Sequence, residues 1–293
     1  MTPSKNDTNP EISAPRFGLI IIGDEILSGK RADKHLPRFI EILAARGLTL
    51  AWAEYVGDDP ERITATLLRA FASGDVVFSC GGIGATPDDH TRQCAARALG
   101  LPLVLHPEAE RLIRERMQDV AREQGLPYEP ERADNVHRLN MGMFPQGAGI
   151  VPNPYNKIPG FACGAVAGSV PCAAGQGGGG VYFLPGFPVM AWPMAEWVLD
   201  THFAAFFQRA AQLEKSVIVF DAMESTLTPL MQALEAQHPQ IKVFSLPSVD
   251  HPQWGRHIEL GVKGPVQAVE AAYAALREGL QGFTLRYGPE MVR

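Results

Sequence analysis

The segment CGGIGATPDDHT, residues 80–91, combines three glycines with two adjacent aspartates directly after a short apolar run. An apolar run, a glycine-rich turn and a helical pattern predict a strand, a turn and a helix, which is the repeating unit of an α/β fold. Glycines at such a turn let backbone amides approach an anion, whereas carboxylates repel one. The segment therefore bears on the ligand as well as on the fold.

The two aspartates of this segment have two explanations. Thr86, Pro87 and Asp89 fit the N-cap, first and third helical positions of a capping box, and Asp88 would then point about 100° away around the helix. Both carboxylates would also stabilise the positive end of that helix. Alternatively, Asp88 holds a divalent cation while Asp89 mainly caps. Capping leaves the glycines unexplained, and we interpret them as backbone that a ligand approaches closely.

Apolar runs elsewhere extend the α/β pattern. FGLIII, residues 17–22, and DVVFSC, residues 75–80, suit strands that helices cover on both faces. Between them an apolar helical pattern ends at Gly47, and TLAWAEYV, residues 49–56, predicts another strand. The alternation predicts an α/β domain with a mostly parallel sheet and right-handed crossovers. Such sheets bind ligands beyond the carboxyl ends of their strands, where the segment 80–91 lies.

A second acidic, glycine-containing loop is predicted at the same edge of the sheet. GDEILSG, residues 23–29, follows the strand at 17–22, so Asp24 and Glu25 should lie at the same edge of the sheet as Asp88 and Asp89. Charges about 4 Å apart repel by roughly 4 kcal/mol at an effective dielectric near 20, so clustered carboxylates need a counter-ion to face a diphosphate. Mg²⁺ binds one or two carboxylates together with waters and phosphate oxygens. We therefore predict Mg²⁺ or another divalent metal here.

Length, charge and cysteine content limit the class of function. The 293 residues are 46% hydrophobic with a net charge of -6, which favours a small-molecule partner over nucleic acid or an anionic membrane. Residues 1–15 are polar and are expected to form a disordered tail, and the chain has no apolar leader, so we expect a cytoplasmic protein. The four cysteines lack metal-binding or disulfide spacing. We interpret Cys80 as no nucleophile, because neighbouring carboxylates raise the pKa of a thiol.

The last part of the chain has a different pattern. Residues 213–293 predict a small α+β domain whose last helix opens at Pro265. GVKG, residues 261–264, has the GxxG pattern that clamps RNA in KH domains, but it follows a strand and lacks basic neighbours, so we interpret it as a turn. The glycine- and alanine-rich stretch at about 163–180 is predicted to be a flexible loop of the first domain, residues 16–212.

Several motifs of the first domain occur in a characteristic order. They are GDEILSG, Asp33, VGDD (56–59), GGIGATPDDHT, Asn140, PNPYNKIPGF (152–161) and LPGFP (184–188). Over about residues 16–200 the chain resembles the MoaB/Mog molybdopterin-binding family, in particular the N-terminal module of the CinA competence/damage-inducible proteins. The resemblance implies a three-layer αβα fold, a phosphate-bearing ligand at the glycine-rich loop, metal dependence and a homo-oligomer. It also implies a KH-like C-terminal region.

The chain departs from the family pattern at four places. Cys80 and Ala85 stand where the family usually has Thr and Pro, and His35 stands where it usually has Asn. The loop LPGFPVM, residues 184–190, is one residue shorter and lacks the acid that commonly precedes its Met. Full-length CinA proteins also carry an amidohydrolase domain that acts on nicotinamide mononucleotide, and we expect no such domain in these 293 residues.

The motifs and the resemblance together predict the residues of the site. Asp24 and Asp88 are the predicted catalytic residues, and with Asp89 they are the predicted metal ligands. The predicted ligand- and phosphate-binding residues are Gly23, Gly81, Gly82, Gly84, Thr86, Thr91, Asn153 and Lys157. For Thr91 the alternative is packing in the first helical turn, and for Lys157 it is a solvated side chain.

Three functions share these requirements. The first is hydrolysis of a nucleotide diphosphate such as ADP-ribose, in which a divalent metal acts together with the amides of Gly82 and Gly84. The second is binding of molybdopterin or another pterin phosphate without turnover, and the third is adenylyl transfer to molybdopterin. Each function needs a phosphate cradle and carboxylates, and a fold does not fix its function, so the sequence leaves all three open.

Overall fold

The computed structural model describes residues 15–164, 179–207 and 212–293. The chain divides into two compact units, Met1–Phe207 and Gln208–Arg293, whereas the sequence pattern placed the boundary at 212/213. Most of the predicted tail and most of the predicted flexible loop lie outside the described residues.

The first unit contains eight strands and seven helices in its described residues. The strands are β1 Phe17–Ile22, β2 Leu50–Val56, β3 Val76–Cys80, β4 Leu103–Leu105, β5 Met143–Pro145, β6 Gly149–Val151, β7 Gly160–Gly164 and β8 Gly180–Leu184. The helices are α1 Asp24–Leu27, α2 His35–Ala44, α3 Pro60–Ala72, α4 Thr91–Leu99, α5 Pro107–Glu123, α6 Ala133–Arg138 and α7 Pro188–His202.

Six of these strands form one mixed sheet in the order β2-β1-β3-β8-β7-β6. The first four strands run parallel to one another, and β7 and β6 complete the sheet in antiparallel pairings. The remaining two strands, β4 and β5, pair separately. The predicted α/β fold with a mostly parallel sheet is therefore confirmed.

Helices cover both faces of the six-stranded sheet, which explains the continuous apolar runs. On β1, Leu19 and Ile21 pack with α2 and α7, while Ile20 and Ile22 pack with α3 and α4 on the opposite face. Since successive side chains of a strand point to opposite faces, a strand buried on both sides must be apolar at every position. The result is the predicted three-layer arrangement.

Strand β7 corrects the predicted extent of the flexible loop. The prediction began at about residue 163, but Cys163 is a buried strand residue that faces the helical layer of α3 and α4. Its neighbour Phe161 stacks between Phe144 and Phe183, with ring centroids at 4.6 and 4.2 Å. The low-complexity composition concealed this strand, because burial of a few side chains outweighed the weak local preference of glycine and alanine for a strand.

The second unit is a β-α-β-β-α-β arrangement with two helices on a four-stranded antiparallel sheet. Its elements are β9 Gln212–Phe220, α8 Glu224–Gln237, β10 Lys242–His251, β11 Gly255–Pro265, α9 Val266–Leu280 and β12 Arg286–Val292. The sheet order is β10-β11-β9-β12, which is the split β-α-β pattern of ferredoxin-like domains.

This arrangement confirms a small α+β domain and leaves its KH-like description unconfirmed. The GxxG residues 261–264 lie inside β11 and do not join two helices, so their interpretation as a turn is wrong. Strand β12 was missed, because its sequence contains a glycine and a proline that weaken any strand pattern. Among the described helices of either unit, none has the length and apolarity needed to cross a membrane.

The residue directly after β3, Gly81, has no space for a side chain. Gly81 has a φ of 113°, and a Cβ added there would lie 2.2 Å from the Ile22 carbonyl oxygen. We expect Gly81→Ala to lower the free energy of unfolding by roughly 3 kcal/mol or more. The matched control is Gly100→Ala, where φ is also positive but nothing lies within 4 Å, and its cost should be about 1–2 kcal/mol. Urea unfolding of both variants measures the difference, and equal losses would contradict the steric argument.

Candidate functional site

A cavity of about 410 Å³ lies at the edge of the large sheet where the parallel strands end. Each of the four parallel strands contributes residues that follow it, namely Glu25 after β1, Asp58 after β2, residues 81–86 after β3 and residues 185–187 after β8. The two loops predicted to face one crevice therefore both reach it. This is the position at which open α/β sheets bind their ligands.

The glycine-rich loop presents two unused amides to this cavity. The amide of Gly81 donates to the Leu184 carbonyl at 3.0 Å, and the buried Thr91 hydroxyl donates to the Gly81 carbonyl at 3.1 Å. Gly82 has a φ of 69°. Within the described chain the amides of Gly82 and Ile83 donate to no protein acceptor. Two adjacent free N–H groups in a turn can bind an anion.

The Asp89 carboxylate holds the same loop in shape. It accepts hydrogen bonds from the Gly84 amide at 2.9 Å, the Thr86 amide at 2.8 Å and the Thr86 hydroxyl at 2.6 Å. Helix α4 begins only at Thr91, so the predicted capping box beginning at Thr86 is wrong. Because Asp89 already uses the Gly84 amide, that amide is not free for a phosphate, contrary to the prediction.

Asp24 takes a different position from the one the sequence indicated. Its amide donates to the Asp58 carboxylate at 2.8 Å, and the Asp58 amide donates back to the Asp24 carboxylate at 3.2 Å. Asp24 lines a neighbouring groove, not the cavity at the glycine-rich loop. The structure therefore does not place Asp24 beside Asp88 in the cavity, and Glu25 and Asp58 lie there instead.

The surroundings of Asp58 raise the pKa of its carboxyl. Partial burial raises the pKa of its carboxyl, and the charges of Asp24, Glu25 and Asp88 raise it further, while a backbone hydrogen bond near Asp24 opposes them. Asp88 is exposed, and the Thr86 hydroxyl and its own amide lower the pKa of its carboxyl. The sequence does indicate Asp58, because VGDD follows β2 as GDEILSG follows β1. VGDD served only as a motif of the family, and Asp58 was not predicted as a site residue.

The carboxylates fit a divalent cation only together with a ligand. Among the described residues, no three His, Cys, Asp or Glu side chains converge on a ready-made metal position. Glu25, Asp58 and Asp88 nevertheless line one cavity. Burial is the main cause of the raised pKa of Asp58, and the neighbouring carboxylates add a repulsion that a cation would relieve. Mg²⁺ needs only one or two carboxylates when waters and phosphate oxygens complete its shell.

The loop at 153–158 contributes shape more than charge. Asn153 is buried and lines the cavity, but its side chain is engaged by Asn156, by the Ile158 carbonyl and by the Tyr155 amide. Lys157 does not line the cavity. The solvated alternative for Lys157 is closer to what the structure shows than phosphate binding. Seven other predicted site residues do line the cavity, namely Gly23, Gly81, Gly82, Gly84, Thr86, Asp88 and Asp89.

Lys157 and Thr91 both hold the protein itself. The Lys157 ammonium donates to the Asp119 carboxylate on α5 at 2.6 Å. Thr91 is fully buried, and its hydroxyl lies where a side chain on Gly82 would have to be. Of the two interpretations offered for Thr91, packing describes its position. The structure brings neither side chain to the cavity.

His35 fixes the loop on the far side of the cavity. Its Nε2 lies 3.0 Å from the Gly186 carbonyl oxygen, and its Nδ1 is buried without a hydrogen-bond partner in the described chain. Asp33 accepts from the amides of His35 and Leu36. Burial lowers the pKa of His35, although the Gly186 hydrogen bond and the charge of Asp33 oppose that change. The neutral imidazole is therefore the form that the fold favours.

Cys80 and the aromatic residues of α7 are structural. Cys80 is buried, and its burial raises the pKa of the thiol more than the charge of Asp33 does. The thiol is thus a poor nucleophile, as predicted, although burial and not the carboxylates is the main cause. On α7, Met194 is fully buried, and Trp192 and Trp197 pack against the same core.

Comparison with known proteins places the first unit in a family. Residues 18–205 match the family described as "Probable molybdopterin binding domain". A CinA-like protein from Anaeromyxobacter sp. (strain K) is 32% identical over 62% of this chain and 40% of its own length. The crystal structure of CinA from Thermoplasma acidophilum, a protein titled as of unknown function, matches 64% of this chain and 98% of its own, with 25% identity and a TM-score of 0.50.

A second relative extends over both units. A protein from Pyrobaculum calidifontis is 29% identical over 90% of this chain and 94% of its own length. By contrast, the chain spans about 40% of the length of the Anaeromyxobacter protein. The match to the relative of similar size therefore extends into the second unit, while the CinA-like match spans 182 residues, fewer than the first unit contains.

The adjacent aspartates of the glycine-rich loop should separate stability from ligand binding. We expect Asp89→Asn to lower the free energy of unfolding by about 1–3 kcal/mol, because an amide nitrogen would face the donors that Asp89 now accepts. Asp88→Asn should change stability by less than about 0.5 kcal/mol, because Asp88 is exposed. Thermal and urea unfolding of both variants measure this. A larger loss for Asp88→Asn than for Asp89→Asn would contradict the assignment.

The burial of His35 predicts a pH dependence of stability. Its folded-state pKa lies below the ordinary value of 6.5, so the unfolded chain binds the proton more readily. The stability from neutral His35 is fully present above about pH 6.5 and is lost as the pH falls toward the folded-state pKa. Wild type should therefore lose more unfolding free energy than His35→Asn between about pH 7.5 and about pH 5. Parallel losses in urea unfolding would show that His35 does not contribute.

Proposed function

The chain belongs to the molybdopterin-binding domain family. We propose that its cavity binds a small molecule that carries a phosphate and an aromatic ring, and that the protein hydrolyses a nucleotide diphosphate such as ADP-ribose. The observation that carries this proposal is the pairing of free amides and a perturbed acid. The amides of Gly82 and Ile83 and the carboxylate of Asp58 line the same cavity. Anion binding and proton transfer are then available at one place.

The residues that act in the proposed hydrolysis have separate roles. A water molecule attacks one phosphorus of the diphosphate, Asp58 takes the proton of that water, and the bridging P–O bond breaks, so ADP-ribose gives AMP and ribose 5-phosphate. An acid with a raised pKa suits this task, because its ionised carboxylate is a stronger base than an ordinary one. The amides of Gly82 and Ile83 stabilise charge on the phosphoryl oxygens. Asp24 orients the loop that carries Asp58.

A divalent cation, Mg²⁺ by preference, would neutralise phosphoryl charge from a position at Glu25 and Asp88. Apolar side chains also line the cavity, among them Phe187, Met190 and Ile158. Phe187 is 56% exposed, so its ring is accessible to an adenine or a pterin. We extend the proposal to a cytoplasmic homo-oligomer without a nucleic-acid partner.

Binding of a pterin phosphate without turnover is the second candidate. Two observations favour it: the family description names molybdopterin, and the described residues contain no ready-made cluster of three metal ligands. An aromatic wall and an anion-binding turn suit a pterin phosphate as well as they suit a nucleotide. Adenylyl transfer to molybdopterin would use the same groups, but no feature of the cavity favours it over these two.

Product analysis decides between turnover and binding. Purified protein incubated with ADP-ribose and Mg²⁺ should release AMP, and a chelator should abolish the release. Asp58→Asn should reduce turnover by about 100-fold or more with little change in melting temperature, since general bases contribute about that much. The control is Glu61→Gln, an exposed acid on α3 that does not line the cavity. Pterin binding without any AMP release would favour the second candidate and refute the hydrolase.

A further inference from the structure

The cavity contains many carboxylates and very little positive charge. Four acids line it, Glu25, Asp58, Asp88 and Asp89, and among the described residues that line it Arg31 is the one lysine or arginine. The cation that the sequence pointed to, Lys157, is paired with Asp119 elsewhere. A phosphate that enters this cavity therefore has one side chain of opposite charge within reach.

The backbone fixes Arg31 at the rim of the cavity. The Arg31 amide donates to the Glu25 carbonyl at 2.9 Å, which closes the loop that follows β1. Gly29, with a φ of 73°, provides the sharp turn within that loop. The position of the Arg31 Cα is thus determined by main-chain geometry, independently of what its side chain contacts.

The Arg31 guanidinium is available for a ligand. Its nearest carboxylate is Glu25, at 3.7 Å, which is an ion pair beyond hydrogen-bond distance. Its side chain is 60% exposed, and within the described chain it donates no hydrogen bond. Exposed ion pairs of this kind contribute little to stability, so exchange of Glu25 for a phosphate costs little. Both partners of the present pair already line the cavity.

The chemistry of the side chain identifies the ligand group. A guanidinium remains charged at any physiological pH and presents a planar fork of N–H donors that matches two oxygens of one phosphate. The free amides of Gly82 and Ile83 belong to residues that line the cavity, and they are donors without a net charge. An arginine at the rim supplies a second, charged contact. A diphosphate is long enough to reach both contacts, whereas an aromatic ligand without phosphate is not.

We propose that Arg31 is the phosphate-binding side chain of this cavity and that it selects ligands carrying a terminal phosphate or a diphosphate. The proposal rests on the cavity identified under the proposed function, but it does not require turnover. Arg31 contacts the anion directly, while the glycine-rich loop binds the same anion through its amides. Recognition then depends on a residue that stands outside the glycine and aspartate motifs.

Inorganic pyrophosphate is the probe that tests this inference, with Mg²⁺ present and calorimetry as the readout. Arg31→Gln should weaken pyrophosphate binding roughly tenfold or more, since a charge-assisted bidentate contact is lost. The pyrophosphate affinity of Arg31→Lys should lie between those of Arg31→Gln and wild type, because lysine keeps the charge but lacks the planar set of N–H donors. The matched control is Lys30→Gln, which removes the same charge from the adjacent exposed residue that does not line the cavity, and it should bind as wild type does.

The outcomes separate this inference from the proposed function. Equal affinities of Arg31→Gln and Lys30→Gln would overturn the role of Arg31, even if ADP-ribose is hydrolysed. An Arg31-dependent affinity for pyrophosphate without any AMP release from ADP-ribose would sustain the role of Arg31 and refute the hydrolase. No binding of pyrophosphate by wild type would overturn the inference outright. Adenosine serves as the ligand without phosphate, and its affinity should not respond to Arg31→Gln.

Discussion

The close contact between the end of β3 and the end of β1 determines the rest of the cavity. Gly81 leaves no space for a side chain beside the Ile22 carbonyl oxygen, while a Cβ on Gly186, which follows β8, would only make ordinary van der Waals contact with the Gly81 Cα. The ends of β3 and β1 therefore meet through backbone alone. The next residues, Gly82 and Ile83, line the cavity, and their amides donate to no acceptor in the described chain. The glycines and the sheet register depend on each other.

Electrostatics decides what such a cavity can hold. The acids that line it repel one another, and this repulsion adds to burial, which is the main cause of the raised pKa of Asp58. An anion alone would add to the repulsion, and a cation alone would find no complete set of protein ligands among the described residues. A phosphate and a divalent cation bound together satisfy both groups, because each supplies what the other lacks. On this composition rests our proposal of a phosphate that binds together with a divalent cation.

The sequence predicted the buried framework better than the exposed details. Strands β1 and β3 were recognisable because burial on both faces demands an unbroken apolar run. Strand β7 was not, since its glycines and alanine carry no such signal. The predicted capping box is wrong in its position and not in its contact. The Thr86–Asp89 interaction exists, but it lies within a turn and not at the start of a helix. A Thr-x-x-Asp spacing fits both structures, so tertiary contacts choose between them.

Three pairs of adjacent acids follow the parallel strands, and in each pair one member holds the backbone. Asp24, Asp59 and Asp89 accept hydrogen bonds from backbone amides of their own loops or a neighbouring one. Their neighbours Glu25, Asp58 and Asp88 line the cavity. The division of tasks is incomplete, because Asp58 also accepts a hydrogen bond from the Asp24 amide and Asp89 also lines the cavity. The sequence could predict that acids meet at this edge, but which of them line the cavity and which hold the backbone depends on loop geometry that the sequence pattern does not contain.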